Sequence, residues 1–139
     1  MKSTGSKVVS WLLFVAGMAG IFACTHFAAP ASFSMVQNIT AAGAGVSSFF
    51  AYGVHCLWYI LLFLLAWWGF TALEVEGFGK YAVAVLACSL FAASDEVHQL
   101  LLVKGTFDKA DLVLDICVVL VAAVLAGIVE AIVKKRKQV

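Results

Sequence analysis

Asp95, Glu96, His98 and Gln99 fall within five consecutive positions of the stretch FAASDEVHQLLLVKG, residues 91–105, near the end of a run that is otherwise apolar. Carboxylates and imidazoles are the side chains that most readily exchange protons with a reacting group, and burial tunes them for that task. A second acidic set, Asp108, Asp111 and Asp115, opens the next apolar run. Tyr52, His55 and Tyr59 recur at spacings of three and four in the run before. Two carboxylates and two histidines also suit a divalent cation such as zinc or manganese. The sequence has no HExxH or comparable ligand pair, so metal and cofactor both stay open.

These residues sit on elements whose nature the composition dictates. Of 139 residues, 64% are hydrophobic and 12% charged, with a mean hydropathy of +1.05. Water does not tolerate that much apolar surface on a chain of this size, whereas a bilayer does. Several runs reach the roughly 20 apolar residues that cross a hydrocarbon core. They lack the two-residue alternation of a membrane barrel, so helices must satisfy the backbone. Hydropathy places four spans, at about Val8–Thr25, Val46–Leu73, Tyr81–Val103 and Asp111–Val133. The expected fold is all-α, a single four-helix transmembrane bundle over residues 1–139. Pro30, Ser32, Ser34, Asn38 and Gly43 predict a long polar first connection, and EVEGFGK and KGTFDKA predict short glycine-punctuated turns.

The net charge of +1 argues against a nucleic-acid partner, which needs a broad basic surface. Lys2 and Lys7 before the first span, and KKRK at Lys134–Lys137 after the last, place both termini on the cytoplasmic side. The run with Lys2, Lys7 and a following APA at Ala29–Ala31 also has the outline of a cleaved signal, and its length favours a span. Cys24, Cys56, Cys88 and Cys117 have neither CxxC nor CxxH spacing and read as small packing residues. Gly17, Gly20, Ala122, Ala123 and Gly127 read as close-approach positions, and Glu130 is expected to reach for the inner face.

On a helical wheel, Asp95, Glu96, His98 and Gln99 occupy less than half of the third span's circumference, at about 100° per residue. Asp108, Asp111 and Asp115 lie within roughly 60° of one another on the fourth. With spans alternating in direction, Glu96, His55 and Asp115 all fall about 6–12 Å from the same outer boundary. An ionised carboxylate in hydrocarbon costs about 2.5–3.5 kcal/mol, so several must be compensated by His55, His98, Lys104, Lys109, a proton, water or a cation. Plainer roles exist for some of these residues. Tyr52, Trp58 and Tyr59 suit an interfacial aromatic belt, His55 suits a helix contact, and Asp108 and Asp111 suit an N-terminal cap.

SDEVHQ at 94–99, followed by DLVLD at 111–115 and preceded by HCLWY at 55–59, resembles the pattern of the VanZ-like membrane proteins. The likeness covers the second to fourth spans. The family's P-G-R turn is replaced here by VKG at 103–105, where Lys104 supplies the cation, and its acidic residue before the histidine element is replaced by AYGV. The resemblance implies a protein of the bacterial plasma membrane, in a family whose founding example is associated with teicoplanin resistance. Asp95, Glu96, His98, His55, Asp111 and Asp115 are then the candidate catalytic residues. Gln99, Tyr59, Tyr52 and Lys104 are the candidates for holding a lipid-linked or amphiphilic envelope molecule. A small proton-coupled transporter, which with four spans would need to be a homo-oligomer, and a non-catalytic partner subunit are the alternatives.

Overall fold

The computed structural model describes the backbone of residues 4–102 and 107–138, and the side chains of most of these outside 27–52. It is all-α, with α1 at Thr4–Ala72, α2 at Gly79–Leu102 and α3 at Lys109–Arg136. Among the described residues, four helical segments are long and apolar enough to cross a membrane: Thr4–Ala23 and His55–Ala72, both within α1, and then α2 and α3.

The first connection differs from expectation, because the backbone between the two segments of α1 is helical rather than a polar loop. That stretch carries no charge and is rich in alanine, the best helix former, and these features outweigh its scattered serines and glycines. A straight helix of α1's 69 residues would run about 100 Å. Yet the Trp11 ring packs edge-on to Phe70 with centroids 5.1 Å apart, and a Cβ on Gly17 would lie 3.4 Å from Leu65. The element therefore doubles back, and its two ends pack side by side.

The α1–α2 turn matches the glycine-punctuated hairpin expected there. Glu74 and Gly77 take left-handed backbone at φ of 65° and 60°, and Leu73 N–H closes onto the Gly69 carbonyl at 3.1 Å. Residues 103–106 of the next turn, with Lys104, lie outside the described residues, as does the side chain of Tyr52. Asp108 caps α3 as anticipated, its carboxylate accepting from Ala110 N–H at 2.9 Å and Asp111 N–H at 3.3 Å.

Each helical element packs against the other two. Contacts at both ends make the arrangement up-and-down. Lys7 meets Glu74, and Lys80 meets Glu130, at one end. His26 meets His98, and the start of α3 meets Glu96, at the other. The packed stripe of α2 is Lys80, Ala84, Cys88, Phe91, Ala92, Asp95, Glu96 and Gln99, one face at three- and four-residue steps. Phe14, Ile21, Tyr59, Leu62, Phe63 and Ala66 from α1 and Val119 and Ala122 from α3 pack against it in the core.

The bundle is inverted relative to a water-soluble one. Leu57, Leu86, Leu90, Leu101, Val124 and Leu125 face outward, while Lys80, Asp95, Glu96, Gln99 and Asp115 are buried. In lipid there is no hydrophobic drive to bury leucine, and polar groups are the ones excluded from the surface. Of the expected close-approach glycines, a Cβ on Gly17 would be in ordinary contact with Leu62 and Leu65, one on Gly127 would reach Tyr81 only at 4.0 Å, and one on Gly20 would meet nothing within 4 Å. Among the cysteines only Cys88 is in the core; Cys24 and Cys117 are exposed.

Candidate functional site

The site is built at the end of the bundle away from the Lys134–Lys137 run. α1 brings His55 and Tyr59, one helical turn apart, with ring centroids 5.2 Å from each other. α3 brings Asp115, two turns in from its Asp108 cap. His55 Nε2 lies 2.8 Å from Asp115 Oδ1, joining two segments that are far apart in sequence. The Tyr59 hydroxyl neighbours the same carboxylate. Around Tyr59, Asp95, Glu96 and Asp115 all lie within electrostatic range, and around His55 so do Asp95, Asp111 and Asp115. The acids of two helices and the imidazole of a third segment therefore converge on one buried tyrosine.

The burial is deep. Tyr59 is 0% exposed, Asp95 1%, Glu96 2% and Asp115 2%. The His55 side chain, at 24% exposure, is the part of the cluster that reaches the outside. His55 Nε2 and Asp115 Oδ1 are at ion-pair distance without the alignment of a good hydrogen bond, and the Tyr59 hydroxyl also makes none among the described residues. His55 and Asp115 compensate each other, whereas a buried hydroxyl in that condition is destabilising by about 1–3 kcal/mol. Such groups suit a polar ligand atom, which would complete their hydrogen bonding.

Two of the candidate residues hold the frame. Gln99 Nε2 donates to Asp95 Oδ2 at 2.8 Å, within one turn of α2. Glu96 Oε2 accepts the Asp108 backbone N–H at 2.9 Å, which ties the last two turns of α2 to the N-cap of α3. A carboxylate at that position also faces the positive end of the α3 dipole.

His98 is oriented differently from the other candidates. Its described ring neighbours are Phe22 and His26, with centroids at 5.0 Å and 5.4 Å, so it faces the first segment of α1 while Asp95 and Glu96 face the second. His26 is a residue that sequence reasoning missed. Its signal was available, as the third histidine of the chain at the end of the first span. A second polar cluster at the opposite end was also missed. Glu130 does not simply reach for solvent: Lys80 at 2.6 Å, Lys134 at 2.7 Å and the Tyr81 hydroxyl at 2.5 Å all bind its carboxylate. Lys80 further lies over the Trp67 and Tyr81 rings, at 5.6 Å and 5.2 Å. The i,i+4 spacing of Glu130 and Lys134 was the readable hint.

Among the described residues, no three His, Cys, Asp or Glu groups are placed to hold one metal ion together. The chain matches no family model, no curated protein and no solved structure.

Proposed function

We propose that the chain is a multi-pass protein of the bacterial plasma membrane, VanZ-like in type, whose His55–Tyr59–Asp115 cluster acts on a lipid-linked or amphiphilic envelope molecule. Both termini lie in the cytoplasm in this reading. The basic run Lys134–Lys137 and the buried acids occupy opposite ends of α3, so a cytoplasmic C-terminus puts the cluster in the outer half of the membrane.

The observation that carries the proposal is the 2.8 Å pair of His55 and Asp115 inside a set of buried carboxylates, with His55 accessible. A carboxylate beside one ring nitrogen holds the imidazole's orientation and steadies its charge when it takes a proton. His55 then serves as the base for a hydroxyl or water of the bound molecule. The Tyr59 hydroxyl stands beside it to donate to a developing negative charge. Asp95 and Asp111 also lie within electrostatic range of His55, and Glu96 keeps the α3 entrance in register.

The test is expression of the wild type and of His55→Asn, Asp115→Asn and Glu96→Gln in a teicoplanin-sensitive bacterium. The wild type is expected to raise the inhibitory concentration. Each variant is expected to lose that effect, with a fall of about a hundredfold or more in the underlying activity, roughly the contribution of one acid/base group, at unchanged abundance and detergent elution. Variants that keep the phenotype at equal abundance would remove the cluster from the mechanism. A wild type without effect would remove the link to glycopeptides.

A further inference from the structure

A second feature lies at the opposite end of the bundle, apart from the polar cluster. The second segment of α1 and the C-terminal half of α3 leave between them a groove of 620 Å³. Its apolar walls include Ile60, Leu64, Trp67, Leu125, Val129 and Val133, and its end is formed by Lys80, Glu130, Lys134 and Lys137. This volume is in the range of small-molecule sites. The dimensions are more specific. From Ile60 to Thr71 on α1, and from Ala122 to Val133 on α3, the lining covers eleven residue steps, about 16 Å. Half of a bilayer's hydrocarbon core is about 15 Å. The apolar trough thus has the length of one leaflet, and its lysines begin where headgroups do.

The charges at that end do not cancel. Glu130 is shared by Lys80 and Lys134, while Lys137 adds a third ammonium to the same lining. Lys80 is buried, with 8% of its side chain exposed, and its charge is answered by Glu130 and by the Trp67 and Tyr81 rings. Lys134, with its side chain 71% exposed, and Lys137 remain to face a ligand. We propose that the groove binds an anionic phospholipid from the leaflet that meets the basic C-terminal run. One acyl chain lies along Ile60–Trp67 and Leu125–Val133, and the phosphate rests on Lys134 and Lys137. A zwitterionic lipid offers the same chain but carries its own cation beside the phosphate, so it gains less from the two lysines.

The test reads Trp67 fluorescence in the full chain with Trp11→Phe, Trp58→Phe and Trp68→Phe, reconstituted in phosphatidylcholine vesicles. A low mole fraction of acyl-brominated phosphatidylglycerol is expected to quench Trp67 several-fold more than the same fraction of acyl-brominated phosphatidylcholine. Lys134→Gln with Lys137→Gln is expected to bring the two lipids level. Lys135→Gln with Arg136→Gln, the same charge change outside the groove lining, is expected to leave the preference in place. Equal quenching by the two lipids overturns the proposal. Equal loss with both pairs of substitutions also overturns it, since attraction of the whole basic run to an anionic surface then accounts for the preference. Native mass spectrometry of the unsubstituted protein, offered both lipids in equal amounts, gives an independent reading: retained phosphatidylglycerol supports the groove, and indifferent retention sinks it.

Discussion

Replacing both partners of the His55–Asp115 pair should destabilise the protein less than replacing His55 alone. His55→Phe keeps an aromatic ring against Tyr59 but leaves the Asp115 carboxylate, 2% exposed, without its nearest cation. An unpaired buried carboxylate in a helix interior costs about 3 kcal/mol. Asp115→Leu leaves only an uncharged imidazole with one unfilled nitrogen, a loss of about 1.5 kcal/mol. With both apolar replacements present there is no orphaned group, and the cost falls to about 1.5 kcal/mol. The ideal coupling is then about 3 kcal/mol, reduced to about 2 kcal/mol because the His55 side chain is 24% exposed. The measurement is unfolding in mixed micelles of rising sodium dodecyl sulfate fraction, followed by far-ultraviolet circular dichroism. Single-variant losses that simply add, to within about 0.5 kcal/mol, would refute the claim that these groups form one buried pair.

Other consequences are local. Asp108→Ala should lower stability by about 1 kcal/mol through loss of the α3 cap, while the bond from the residue 108 backbone N–H to the Glu96 carboxylate survives because its donor is the backbone, not the Asp108 side chain; the same micelle titration reads this. Gly77→Ala, at φ 60°, should cost about 1–2 kcal/mol, and Glu74→Gly, at φ 65°, should recover up to about 1 kcal/mol, opposite signs within one turn. Phe63→Ala, at a fully buried position, should cost about 3–5 kcal/mol, and a value near zero would show that the packed core is assigned to the wrong face.

Hydropathy determined much of the architecture on its own. Four apolar segments, the helical class, the hairpin at EVEGFGK and the Asp108 cap were all legible, because membrane thickness and the need to satisfy every backbone group leave few solutions. The helix through 24–54 was not legible, since serine, glycine and one proline there resemble a loop, whereas the alanine content that favours a helix is a weaker local signal. The polar residues of the candidate site were visible as types and as wheel positions. Which of them meet was decided only in three dimensions. His55 found Asp115, while His98, three residues from Asp95, turned toward Phe22 and His26. Glu130 found Lys80 from a helix fifty residues earlier in the chain. The physical reason is that both faces of these helices are apolar, so periodicity carries almost no information on rotation. Each helix turns its few polar groups inward, and their partners lie on other helices, out of reach of any local pattern.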